Sequence, residues 1–385
     1  MNLTLQPTVL RWARERAGLS ADLLAAKVKT RPDRVIAWEQ TGELRFKQAE
    51  DLARVTHTPF GFLFLPQPPE DQLGIPDFRT LHDGPVERPS PDLLETVQLM
   101  QRRQGWMRDY LIEEGAASLE FVGSVTLNDA PEEIAAHMRR TFGLYDGWAQ
   151  QQGTWSDALQ QFRQRIEAAG ILIVINGVVG NNTHRALSVR EFRGFALSDG
   201  YAPLVFVNGA DAKAAQMFTM AHEVAHLWIG RGGVSNLERL EAGEAPDERL
   251  CNAAAAEFLV PSAALSACWD EAQRADEPYQ FLARRFKVSP IVAARRALDL
   301  GFVRRIDYLA FYRDYEADER RTQGARAPGG HFWNTQAVRI GERFGAAVAR
   351  ATKEGRLLYR DAYRLTGLRG DTFEKFAESV GVRLR

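Results

Sequence analysis

Hydrophobic positions recur every three or four residues along most of this chain. They give way to unbroken apolar runs or two-residue alternation only between about residues 171 and 207. Near the N-terminus Leu10, Ala13 and Ala17 keep helical spacing, and Gly18 marks the end of that helix. Ser20 stands as an N-cap before Leu23, Leu24 and Val28. Pro32 opens a third helix whose Val35, Ile36 and Trp38 are expected to point inward, and Gly42 closes it. Residues 46–55 and 60–65 supply two more apolar faces, so 1–65 reads as a bundle of short helices containing a helix-turn-helix.

Prolines crowd the stretch 66–91, which reads as a linker, although the apolar IPDF within it can pack onto a neighbour. Helical periodicity returns over 92–150 and again over 155–170. Residues 171–175 form a continuous apolar run, 192–197 alternate, and PLVFV at 203–207 is strand-like up to Asn208-Gly209. A helix is expected over 212–229, a glycine-rich loop over 231–246, and a second strong helix over 247–260. The remainder, 302–385, reads as helices over 302–315, 333–353, 359–365 and 372–380, with GARAPGG at 324–330 as a break. The expectation is a multidomain α+β chain. It has an all-α bundle at 1–65, a linker at 66–91, a helical connection at 92–150, a mixed domain with a small sheet at 151–301, and a helical C-terminal region at 302–385.

Hydrophobic residues make up 45% and charged residues 26% of the 385, values ordinary for a globular protein in water. No apolar run approaches the roughly 18 residues that span a bilayer. The first eighteen residues carry no apolar signal core, and the chain has only Cys251 and Cys268, which argues against a disulfide scaffold. A reducing cytoplasm is the expected compartment. The net charge of −1 conceals an uneven layout: +3 over 1–65, −10 over 66–301 and +6 over 302–385. Basic ends on an acidic centre suggest different partners for different parts of the chain.

The candidate chemistry lies in FTMAHEVAHLWIG at 218–230. On an α-helix, residues four apart lie about 40° from each other, so His222 and His226 project from one face and can grip one ion. Glu223, turned by about 100°, is placed to reach a water on that ion. Catalytic zinc takes three protein ligands and leaves a fourth position for water. It lowers the pKa of that water and polarises a peptide carbonyl, while a glutamate shuttles the proton. The surrounding Phe218, Ala221, Val224, Ala225, Leu227 and Trp228 make the helix nearly apolar all round, where an unpartnered His-Glu-His would be costly to bury. The next helix, DERLCNAAAAEFLV, offers Glu248 and Glu257, which face opposite ways and cannot both ligate. Glu248 shares its face with Asn252, so a ligand and a supporting amide can act together, and Glu248 is the expected third ligand. His184 and Tyr201 are candidates to line the cleft, but a surface position fits each better.

FTMAHEVAHLWIG, the following ERLCNAAAAEFLVP and the preceding EFRGFALSDGYAPLVFVNG together resemble the ImmA/IrrE family of metallo-endopeptidases. The spacing of the glutamate and amide is similar to that of gluzincin zinc sites. The resemblance implies a zincin-like domain with zinc on His222, His226 and Glu248 and with Glu223 as catalytic base. It also implies a protein substrate in stress, mobile-element or toxin–antitoxin control, such as a helix-turn-helix repressor. The N-terminal LRWARERAGLSADLLAAKVKTRPDRVIAWEQTGE resembles an Xre-type helix-turn-helix domain. It departs from that pattern at Lys29, where glycine is usual, and at the start of helix two, where glutamine is common. If the bundle binds DNA, Arg31 and Arg34 would make contacts from helix three, and Lys27 and Lys29 would meet the backbone. The same basic face would also serve a protein-interaction module. An extended substrate is expected to pair with an edge strand, either 192–197 or 203–207. The alternative reading is a non-proteolytic DNA-binding regulator or antitoxin whose peptidase-like domain senses a signal or binds a partner.

Overall fold

The computed structural model describes residues 1–69, 75–76, 89–235, 245–317 and 332–384. Most of the linker expected at 66–91 and the break expected at 324–330 lie outside the described residues. The chain divides into two compact units. One comprises Met1–Gly74 with Leu81–Gln98, the other Ile75–Thr80 with Leu99–Arg385.

In the first unit, helices α1 (Pro7–Arg16), α2 (Ala21–Lys27), α3 (Pro32–Thr41) and α4 (Phe46–Val55), with a 3-10 turn at Phe60–Phe64, enclose Leu10, Leu24, Val35, Trp38, Leu52 and Leu63. The boundaries follow local chemistry. Ser20 Oγ accepts the Leu23 N–H at 3.1 Å, Pro32 begins α3, and Gly42 ends it at φ +74°. Ile36, expected inside, is 45% exposed, because Val35 sets the phase of its helix. Arg14 of α1 donates two bonds of 2.6 and 2.9 Å to Glu39 of α3 and a third to the Leu19 carbonyl. An unexpected antiparallel ribbon pairs β1 (Asn2–Thr4) with β2 (Glu43–Arg45), strands too short to display an alternation. Lys27, Lys29, Arg31 and Arg34 all lie exposed along the end of α2, the turn and the start of α3.

The chain enters the second unit within α5 (Pro91–Glu113) and continues through α6 (Pro131–Phe142) and α7 (Trp155–Ala168). Strand β3 (Leu172–Asn176) is followed by a hairpin of β4 (Val178–Val179) and β5 (Asn182–Ala186). Then come β6 (Gly194–Leu197), β7 (Leu204–Asn208), helix α8 (Lys213–Ile229) and strand β8 (Gly233–Ser235). The four-stranded sheet has the order β3-β7-β6-β8. Strand β3 runs parallel to β7; β6 is antiparallel to both β7 and β8. This corrects the expected docking strand, since 192–197 and 203–207 supply the two interior strands. It also adds β8 inside the expected loop at 231–246. All four residues of β6 are buried, so its apparent alternation does not mark a solvated face. Phe195 stacks on Phe206 at 4.9 Å, and α8 packs against both β6 and β7.

Helices α9 (Pro246–Leu259), α10 (Ser262–Gln273), α11 (Pro278–Phe286) and α12 (Pro290–Asp299) complete the main core. Helix α13 (Arg305–Ala317) precedes α14 (Phe332–Ile340), α15 (Glu342–Lys353), α16 (Tyr359–Thr366) and α17 (Gly370–Ser379). The single helix expected over 333–353 breaks at Gly341. Its φ of +89° suits glycine, and an added Cβ would meet the Ile173 carbonyl oxygen at 2.9 Å. Buried charges tie this region to α7. Arg163 pairs with Glu167 at 2.6 Å and Glu342 at 2.7 Å, and burial pushes the Glu167 carboxyl up to about 7. Among the described residues no single helix is long and apolar enough to cross a membrane.

Lys29 adopts φ +56°, a left-handed conformation that costs a side-chain-bearing residue about 1–2 kcal/mol. Lys29→Gly is therefore expected to raise stability by about 0.5–1 kcal/mol, part of the gain being lost to the unfolded chain's added freedom. Urea unfolding checks this as a higher midpoint at unchanged slope.

Candidate metal centre

Every residue of α8 from Gln216 to Trp228 is buried. Each large apolar side chain removed from water there contributes roughly 1.5–3 kcal/mol. Two specific anchors fix the helix further. Trp228 stacks on Phe121 at 4.5 Å and donates its indole N–H to His137 Nδ1 at 3.2 Å. Gln216 donates to the Gly209 and Asp211 carbonyls at 3.2 and 2.6 Å. The rotation of α8 is thus set by its apolar contacts and its start by Gln216, which leaves the direction of His222 and His226 no freedom.

Helix α9 packs against α8 through its alanine-rich middle, with Ala254 and Ala255 fully buried. That close approach brings Glu248 to both imidazoles. His222 Nε2 lies 3.2 Å from Glu248 Oε2, His226 Nε2 lies 3.1 Å from Glu248 Oε1, and the two Nε2 atoms are 3.1 Å apart. All three residues are at most 5% exposed. Donors at these separations match the edges of a tetrahedron whose centre lies about 2 Å from each, the bond length of a small divalent metal to nitrogen or oxygen. Two neutral imidazoles and one carboxylate form a suitable donor set, and among the described residues this is the one group of three such ligands close enough to hold an ion.

The electrostatics point the same way. Burial holds His222 below the ordinary histidine value, against the pull of Glu248. Burial also opposes a charge on His226, yet Cys251, Glu248 and Glu223 together hold its pKa well above the ordinary value. Glu248 is buried as well, but its bonds to both imidazoles hold it far below the usual carboxylate range. The raised His226 pKa thus favours a positive charge where a dication would sit.

Glu223 is completely buried on α8, beneath strand β6. A Cβ on Gly194 would come within 3.0 Å of Glu223 Cγ and 2.7 Å of Thr219 Cγ2, so only glycine lets the strand approach this closely. Asn252, one turn beyond Glu248, interacts with the His222 ring and favours its protonated form. Glu257 serves elsewhere: it pairs with buried Arg296 and accepts from the Ser262 backbone N–H at 3.2 Å. His184 is exposed on the β5 hairpin. The Tyr201 N–H donates to Asp199 in the turn before β7. Two participants escaped the sequence reading. Cys251, which the sequence offers only as one of two cysteines, lies against the His226 ring, and its spacing of three from Glu248 on α9 is the signal for that face. Gly194 carried no local signal, because its role depends on a neighbour 29 positions away.

A divalent metal competes with a proton for His226, whose pKa is raised. At pH 7 the metal-free protein should release on the order of one proton per metal bound. Calorimetry in two buffers of different ionisation enthalpy measures that release directly, and apparent affinity should fall as pH is lowered.

Comparison with known proteins follows this geometry. Residues 340–379 match the model of a domain of unknown function. No curated protein and no solved structure matches the chain. Residues 166–298, which contain the sheet, α8, α9 and all three clustered ligands, match the model of the peptidase M78 family, described as the IrrE N-terminal-like domain, so this segment is similar to a metallopeptidase-like domain of that kind.

Proposed function

We propose that this protein is a zinc-dependent endopeptidase of cytoplasmic location that cleaves a regulatory protein. The observation that carries the reading is the buried His222, His226 and Glu248 cluster inside a segment matching a peptidase family. Zinc held there supplies a Lewis acid for the scissile carbonyl and acidifies a water. Glu223, one residue from His222 and walled in by Gly194, takes the proton of the attacking water and passes it to the leaving amine. Asn252 orients the His222 ring, and Trp228 and Gln216 keep α8 from turning. The low-dielectric surroundings strengthen each of these interactions.

Purified protein should contain about one zinc per chain by elemental mass spectrometry, and His222→Ala should lose it. Glu223→Gln should keep the metal while cleavage of the physiological substrate falls by about 10²–10⁴-fold. Protein free of metal after mild purification would overturn the reading. Retained function in Glu223→Gln would favour a non-proteolytic sensor.

The N-terminal bundle is proposed to bind DNA through Lys27, Lys29, Arg31 and Arg34, all exposed around the α2–α3 turn. The substrate class that fits a peptidase carrying such a module is another helix-turn-helix repressor. Arg31→Ala with Arg34→Ala should weaken operator binding and flatten its dependence on salt by about one unit of slope per lost phosphate contact. Binding that ignores salt would favour a protein-interaction role.

A further inference from the structure

Helices α8, α9 and α12 line a cavity of about 200 Å³ next to the metal centre. Its wall is shared with the two helices that carry the ligands. Phe218 stands one turn before His222 on α8, and Asn252 stands one turn after Glu248 on α9. Side chains four apart on a helix have Cβ atoms about 5–6 Å from each other, so the cavity begins one side chain away from the cluster. Asn252 belongs to both spaces, since it lines the cavity and also interacts with the His222 ring. The volume equals that of roughly six or seven waters, room for a single side chain.

Two kinds of surface meet in this cavity. Buried Phe218 and Val292 give it an apolar floor. Around them lie three guanidiniums, Arg249 from α9 with Arg295 and Arg296 from α12, and one lining carboxylate, Asp299. Asp299 accepts from Arg295 Nε at 2.8 Å. Arg296, only 7% exposed, donates from Nε to the Val260 carbonyl at 3.1 Å and pairs through Nη2 with Glu257. Its Nη1 has no partner among the described residues. A guanidinium has five N–H donors, and a buried one with donors to spare favours an acceptor that can reach it. Even with Glu257 counted, arginines outnumber carboxylates here, although residues 66–301 as a whole carry a net charge of −10.

We propose that this cavity is a specificity pocket of the metal centre, and that it takes the acidic side chain of a polypeptide residue next to the bond to be cut. Glutamate suits it best, because its methylene stem can cover Phe218 and Val292 while its carboxylate meets the arginines. The planar guanidinium fork matches a carboxylate with two parallel N–H···O bonds, which a neutral amide cannot reproduce. The substrate class rests on the peptidase reading, whereas recognition of an acidic side chain does not require cleavage.

Binding to the full-length protein is read from the NMR shifts of arginine Nε–H signals, with glutamate blocked as the N-acetyl N-methylamide as the probe. The unaltered chain should bind it about fivefold or more tightly than the glutamine counterpart. Arg249→Gln with Arg295→Gln, at an exposed and a half-buried position, should abolish that preference. Equal binding of the two probes, or no binding of either, would overturn the pocket. So would tighter binding of N-acetyl-glutamine whose only carboxylate is the chain terminus. As a second readout, zinc-loaded protein is given unfolded casein and the fragments are sequenced by mass spectrometry. Cuts should fall beside glutamate or aspartate at least threefold more often than composition dictates, and the double variant should lose this bias. Cleavage without the bias would overturn the proposal. If no form cleaves any substrate, the peptidase reading fails, and the comparison of glutamate with glutamine still decides the pocket.

Discussion

Two imidazoles and a carboxylate, 3.1–3.2 Å apart and at most 5% exposed, constrain the rest of the second unit. Such groups are tolerated in an apolar interior only when a positive charge is shared among them, either a proton or a bound dication. The same closeness gives the cluster its affinity for an ion and makes it intolerant of displacement. The scaffold around it is correspondingly rigid. Helix α8 is locked along its length by buried side chains, and α9 is held at its far end by the Arg296–Glu257 pair and by Arg139 donating to the Glu257 and Phe258 carbonyls. Glu257 thus contributes to the centre indirectly, by holding the helix that delivers Glu248.

The parts of this centre written in local periodicity were legible in the sequence. The spacing of four between His222 and His226 places two rings on one helical face, and the same spacing joins Glu248 to Asn252. The apolar surround of α8 and the alanine run in α9 announced close helix packing, which the structure contains between α8 and α9. The cap at Ser20, the start at Pro32 and the stop at Gly42 were equally local and fall at the ends of their helices.

What stayed hidden depends on contacts between distant residues. Strand β8 is three residues, GVS, in a glycine-rich stretch, and its strand character comes from pairing with β6. Sheet order is non-local by nature, so the strand signals at 192–197 and 203–207 do not reveal that these segments form the interior. Central strands covered on both faces read as apolar runs, whereas an edge strand need not look like a strand at all. Gly341 shows the same limit: nothing in GER distinguishes a helix break from a tolerated helical glycine until the Ile173 carbonyl is seen against it. Cys251 carries no signal of its own in the sequence, because its place against His226 depends on how two helices pack.

On the proposed peptidase reading, burial of the metal centre imposes demands on a substrate. A folded protein cannot present a peptide bond to a carboxylate as enclosed as Glu223, which lies beneath β6 with no exposed surface. Only an extended segment can enter, and an extended segment carries unpaired backbone groups that need partners as water is excluded. On the proposed peptidase reading, the enclosure of Glu223 therefore favours proteins that can release an unfolded stretch, and the side chains around the centre rather than main-chain bonds would set selectivity.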